Sequence, residues 1–252
     1  DFNLMQEKDL IILSNIISNN RNKAEKILRK LVHDSINKII IEGPYDSNYS
    51  LAIVNRCLAL EIKNIYNEVY LKSSDGPGDY EPSNDFLSSY PEIAKMQLPS
   101  HSIDKELDVL TRCMYPPRCN DMTGRLNALH CYAWEETGFP LTYVRQMNEN
   151  LQLITVVSKH VKNILINNGV NLPIRVVGNG VDHYNDLVSK KINLPDAEYI
   201  FLHISSCFPR KGIDLLIKSY CEEFTHLDDV LLVIKTFKNP HNDIFKILNE
   251  NI

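Results

Sequence analysis

Apolar positions along the chain recur with two different periods, and each change of period marks a candidate element. Leu10, Ile11, Ile16 and Ile17, then Ala24, Ile27, Leu28, Leu31 and Val32, fall at helical spacing around a Ser18-Asn19-Asn20 break, which predicts two short helices. Residues 1–36 therefore read as a helical extension, either a connector to a preceding domain or a cap on the first sheet. From Lys38 the pattern becomes that of a strand. Ile39-Ile40-Ile41 is a β-branched run closed by Glu42-Gly43-Pro44, and helical spacing resumes at Leu51, Ile53, Val54, Leu58 and Leu60. Further short apolar runs at Val69–Leu71, Val109–Thr111, Leu129–Trp134, Leu153–Val156 and Ile174–Val177 alternate with helical or irregular stretches. After Gly180 the pattern restarts, with strands at Tyr199–His203 and Val230–Ile234 and helices at Gly212–Phe224 and from Asn242.

This alternation predicts an α/β protein with a doubly wound, mainly parallel sheet of Rossmann-like type. Residues 37–183 make one such domain, and residues 184–252 read as two βα units of a second, begun and not completed. Two strands form a poorly covered sheet, so the second part is expected to be the less stable.

In open α/β sheets ligands sit beyond the carboxyl ends of the strands, which selects the polar residues to weigh. After the first strand, Gly43 allows close backbone approach, Tyr45 follows, and Ser50 suits the cap of the next helix. A binding loop and a plain capped turn both fit. Arg112 and Arg118 bracket Pro116-Pro117; they suit a bidentate anion clamp, or equally surface arginines paired with acids. The next strand delivers His130, Tyr132 and Trp134, then Glu135 and Glu136. An aromatic face beside carboxylates suits a sugar, although a core Trp with solvated glutamates reads the same way. Strand alternation would put His130, Tyr132 and Trp134 on one face and Glu135 on the other. His130 and Glu135 are the candidate catalytic groups, but adjacent glutamates diverge and do not flank a bond as glycosidase carboxylates do. In the second part, Arg210, Lys211 and Gly212 lie between an apolar strand and an amphipathic helix, the layout of an anion site and also of a simple solvated turn.

Composition removes several classes. A chain of 252 residues with 44% hydrophobic and 23% charged residues is globular, and a net charge of −5 argues against a broad nucleic-acid surface. The six cysteines (57, 113, 119, 131, 207, 221) show neither CxxC pairs nor zinc spacing, and read as reduced thiols of a cytoplasmic protein. No apolar run reaches transmembrane length, and the start lacks a signal-peptide pattern. The missing initiator Met suggests a piece of a longer chain. No Gly-Lys-Ser/Thr or Gly-x-Gly-x-x-Gly loop follows a strand, which disfavours P-loop and dinucleotide-oxidoreductase chemistry.

Two motifs add a resemblance. The segment ITVVSKHVKNILINNGVNLPIRVVGNGVD ending at Asp182, followed by IFLHISSCFPRKGIDLLIKSY ending at Tyr220, resembles the domain junction of family-4 retaining glycosyltransferases of the GT-B fold. The bacterial surface-polysaccharide members are the nearest in kind, and SLAIVNRCLAL and YAWEETGFP resemble their amino-terminal domain; the likeness covers roughly residues 38 to 240. The resemblance implies an amino-terminal acceptor domain and the first part of a donor domain. It implies a nucleotide-sugar donor, a glycan or lipid-linked saccharide acceptor, no metal and no cofactor, no nucleic-acid partner, and action in the cytoplasm at the inner face of the membrane, where the parent enzyme would associate peripherally. In the family the loop after the first strand shapes the acceptor side of the cleft, and Lys211 would contact the donor diphosphate. A second basic residue usual six positions before that Lys is here Ser205, which leaves Arg210, Arg112 or Arg118 to supply its charge. The family's Glu-x7-Glu element would lie beyond Ile252, so these residues alone are expected to be inactive. A non-catalytic Rossmann-like module that binds a glycan or a partner protein is the alternative from another class.

Overall fold

Strand β1 (Lys38–Glu42) is buried at every position, as a continuous apolar run must be when helices cover both faces of a parallel sheet. The computed structural model describes residues 35–47, 49–74, 80–98, 107–182, 191–236 and 244–251, with single positions 30, 185 and 188; the two helices expected within residues 4–36 lie almost entirely outside these. The chain forms two units, Asp1–His183 and Tyr184–Ile252.

In the first unit β1 leads into α1 (Ser50–Lys63), β2 (Glu68–Lys72), the short helices α2 (Asn84–Ser89) and α3 (Pro91–Ala94), β3 (Val109–Arg112), β4 (Leu126–Tyr132), α4 (Leu141–Asn150), β5 (Leu153–Val156), α5 (Lys159–Asn167) and β6 (Ile174–Val176). The strands form one six-stranded sheet in the order β2-β1-β3-β4-β5-β6, with every pairing parallel. Outside β2 the sheet continues as a single parallel bridge, Leu71 to Gln97. It is closed by amide bonds from Leu71 to Met96 O (2.7 Å) and from Leu98 to Leu71 O (2.9 Å). Counting that bridge as a vestigial strand, the chain runs outward from β1 through β2 and then returns to the other side of β1, so the topological switch lies between β1 and β3.

Two cores flank the sheet. Ile39 and Ile41 face α1 with Ala59, Val69, Leu71 and Ile93, while Ile40, Leu110 and Leu129 face α4 and α5 with Met147, Ile154 and Leu165. Ser158 caps α5 by accepting from Val161 N at 3.2 Å, which pairs one of the amides that the first turn of a helix leaves open. At the amino ends of the strands, Asp108 accepts from the amides of Asn37 (2.8 Å) and Lys38 (3.0 Å) and from Arg125 Nη1 (2.6 Å). Burial opposes its ionised form, but these donors outweigh burial and hold its pKa below the ordinary value.

The second unit holds β7 (Tyr199–Ile204), a 3-10 turn (Pro209–Lys211), α6 (Ile213–Glu223), β8 (Val230–Lys235) and α7 (Ile244–Asn251). Its strands pair in parallel, Ile200 with Leu231 and Leu202 with Val233. One face is covered: Phe201 packs on Phe224 (5.5 Å) and Tyr220 (6.0 Å), and Cys207, Ile213 and Ile217 form a small core with Ile234, Ile247 and Leu248. On the other face Ile200, Leu202 and Ile204 are exposed. No helix among the described residues is long and apolar enough to cross a membrane.

Candidate functional site

The switch point is built around Gly43, at φ +150° directly after β1. A Cβ there would stand 2.5 Å from Asn55 Nδ2 and 2.7 Å from the Cys113 carbonyl, so no larger residue fits this crossing of loops. Asn55, on the buried face of α1, donates from Nδ2 to the carbonyls of Pro44 (2.8 Å) and Cys113 (3.1 Å). That orientation leaves its Oδ1 facing His130 Nε2 at 2.7 Å. Since an amide oxygen only accepts, Nε2 carries the proton and Nδ1 accepts from Thr111 Oγ1 at 2.9 Å. Burial pushes the imidazole pKa down to about 3, so His130 is neutral and both nitrogens are engaged. His130, a candidate catalytic group from sequence, instead joins β3, β4, α1 and the loop after β1.

On the opposite face of β1 lies a cluster of charges. Glu42 is 1% exposed and Arg112 2%. Glu42 Oε2 accepts from Arg112 Nε (2.9 Å) and Nη2 (2.8 Å), and Oε1 from Arg118 Nη2 (3.2 Å) and Lys72 Nζ (3.4 Å). Arg112 Nη1 bonds Asp121 Oδ1 (2.5 Å) and the Arg118 carbonyl, and Arg118 Nε meets Asp121 Oδ2 at 2.8 Å. Burial raises the Asp121 pKa, but the Arg112 hydrogen bond and the two guanidinium charges outweigh it and hold it low. The arginines that suited an anion clamp are thus directed at Glu42 and Asp121, and they fasten the loop after β3 to the ends of β1 and β2.

Along β4 the expected alternation fails. Cys131 sits at φ 49°, and the pairing with β5 shifts register between Leu129 and Tyr132. His130 consequently faces α1, whereas Tyr132 enters the other core edge-on to Phe139 (6.3 Å). The Tyr132 hydroxyl is buried with no hydrogen-bond partner among the described residues, and burial raises its pKa. Trp134 lies past the strand end, half-buried, with Nε1 donating to Gly138 O (2.8 Å). Phe139 backs it edge-on at 4.8 Å, and the exposed Tyr115 ring lies 6.1 Å from it at an interplanar angle of 34°. Glu135 and Glu136 are exposed.

Other expectations change in detail. Tyr45 is a core residue, 1% exposed, whose hydroxyl accepts from Gln97 at 3.4 Å. Ser50 is the first residue of α1, not its cap. Tyr49 occupies the N-cap position and makes no side-chain cap hydrogen bond to the helix, because a phenol is too long to turn back to the amides of its own helix. The buried thiols Cys113 and Cys119 are pushed up to about 12 by desolvation, which keeps them protonated. Sequence reading passed over Glu42, Asn55, Thr111, Asp121 and Tyr115. Only Asn55 left a local signal, a polar residue on the helix face shared with Ala52 and Ala59.

In the second unit, Arg210 and Lys211 are exposed in the 3-10 turn. Gly212, left-handed at φ 65°, is the N-cap of α6 and offers no side chain to its first amides. Ser205 Oγ accepts from Cys207 N at 2.9 Å and meets His203 Nε2 at 2.7 Å, so its hydroxyl shapes the turn after β7. No group of three or more His, Cys, Asp or Glu suited to a metal occurs among the described residues. No protein-family model matches the chain, and no curated protein matches it.

Proposed function

We propose that this chain belongs to a glycosyltransferase that moves a sugar, with retention, from a nucleotide-sugar donor to a glycan or lipid-linked saccharide at the cytoplasmic face of a membrane. The observation that carries the reading is the end of β7. There an exposed Arg210-Lys211 turn and a left-handed Gly212 precede an eleven-residue helix whose first amides have no side-chain cap. Backbone donors, a helix dipole and a lysine together suit a diphosphate. The donor's second cation falls to Arg210, since Arg112 and Arg118 are directed at Glu42 and Asp121. No catalytic group is assigned: His130 is enclosed. That enclosure favours one second reading, a binding module of a polysaccharide-synthesis protein without chemistry of its own.

Calorimetric titration with nucleoside diphosphates tests the donor assignment. Lys211→Ala is expected to weaken binding by about 1.5–3 kcal/mol, the range for a hydrogen bond to a charged group. Lys218→Ala, an exposed lysine paired with Glu222 on the same helix, should leave affinity unchanged. Equal affinity of both variants removes Lys211 from the site. Nucleotide binding without any transfer, tested in the longest natural form of the chain, supports the binding module.

A further inference from the structure

We infer that Tyr115 and Trp134 form a binding platform for a neutral pyranose ring of the acceptor, an inference that rests on the saccharide-binding reading above. The pair stands at the carboxyl ends of β3 and β4, where the sheet topology places ligands. Tyr115 is 60% exposed, an unusual setting for a large ring held 6.1 Å from a Trp at an interplanar angle of 34°. Two surface rings splayed by that angle offer a shallow seat for the C–H face of a sugar.

The seat is rigid for reasons visible in its supports. Trp134 is pinned at one edge by its Nε1 bond to Gly138 O, 2.8 Å, and at its back by Phe139 at 4.8 Å. Phe139 in turn packs on Tyr132 and Tyr143. Tyr115 rides on the loop that Arg112, Arg118 and Asp121 fasten to buried Glu42. A platform fixed before binding loses little conformational entropy when a sugar arrives.

Charge selects the kind of sugar. Glu135 and Glu136 follow Trp134 directly and are exposed, so they can accept hydrogen bonds from hydroxyl groups and repel carboxylates. The nearby arginines point inward to Glu42 and Asp121. The platform therefore takes uncharged hexopyranosides and discriminates against uronates.

Trp134 is the chain's single Trp, so its emission reports the site alone. The whole chain is titrated with cellotriose, maltotriose, galactotriose and trigalacturonate. At least one neutral trisaccharide should give a saturable emission change. Tyr115→Ala should weaken it about tenfold, the loss of one aromatic contact with a ring, while Tyr115→Phe should stay within about twofold. Trigalacturonate should bind more weakly than the best neutral sugar. Lys211→Ala should leave the titration unchanged, which separates this site from the donor assignment. Silence with every neutral trisaccharide, an unaltered Tyr115→Ala titration in a variant with native circular dichroism, or equal affinity for trigalacturonate overturns the inference. The nucleotide titration of Lys211→Ala would be untouched by that result.

Discussion

Two sets of strand ends in this molecule carry the same kinds of residue and treat them in opposite ways. In the first unit, Arg112, Arg118 and His130 are bonded inward, to Glu42, Asp121, Asn55 and Thr111. In the second, Arg210 and Lys211 stand exposed beside a helix start. Sequence position relative to a strand is alike in both. What differs is whether a distant strand presents a buried partner: Glu42 reaches Arg112 across 70 residues of chain. Where a buried carboxylate faces a cation, as Glu42 faces Arg112, the cation is held within the fold.

The sharpest way to break that contrast is to remove the partner. Glu42→Gln keeps the shape of the side chain and takes its charge away, leaving Arg112, 2% exposed, facing Asp121 alone. Disrupting a buried ion pair from one side typically costs about 3–5 kcal/mol. Urea melts of the variant should show a loss in that range with an unchanged m-value. A loss under about 1 kcal/mol would mean that the cluster is solvated like a surface pair, and its arginines would return as candidates for anion binding.

That expectation also marks what a sequence can and cannot disclose here. The run Ile39–Ile41, the restart after Gly180 and the turn at Lys211 were legible because each is a local pattern whose physics acts within one element. Glu42 was not, since a Glu closing a strand reads as a solvated end until β2 and β3 bring Lys72 and Arg112 to it. Cys131 hid in the same way. Nothing in its neighbours announces φ 49°, yet that one residue turns His130 and Tyr132 to opposite faces. At Ser50 the better capping residue is present and unused, because the helix begins at it and leaves Tyr49 as the cap.

A gentler probe is protonation of the hydrogen-bonded side of the contrast. His130 has a folded pKa of about 3 through burial, well below the roughly 6.5 of an unfolded chain. The unfolded state therefore takes up the proton first as the pH falls. Stability is full above about pH 6.5 and declines by up to about 1.4 kcal/mol per unit toward pH 3, where both states are protonated. Asp108 and Asp121, with lowered pKa values, add a second decline below their ordinary range near 3.8. Denaturant midpoints measured between pH 8 and 4 should trace the first limb, with far-ultraviolet circular dichroism to confirm that the folded baseline is kept. A flat profile across that range would mean that His130 titrates normally, with one ring nitrogen open to solvent, and its catalytic candidacy would be restored.

The smallest expected effect concerns the one polar atom in the first unit's aromatic cluster that lacks a partner among the described residues, the Tyr132 hydroxyl. Its ring lies edge-on to Phe139 at 6.3 Å and is 3% exposed, so deleting the oxygen removes a buried polar group and keeps the packing. An unsatisfied hydroxyl is held at a cost that Phe does not incur. Tyr132→Phe should therefore be neutral or stabilising by up to about 1 kcal/mol in thermal or urea melts. It should also leave the Trp134 emission titration with trisaccharides unaltered, since the ring that backs Phe139 is retained. If the variant instead loses more than about 1 kcal/mol, the hydroxyl has a partner that matters. The aromatic cluster of the first unit would then be hydrogen-bonded as its charged cluster is, and its difference from the exposed turn at Lys211 would be wider than the geometry of these residues indicates.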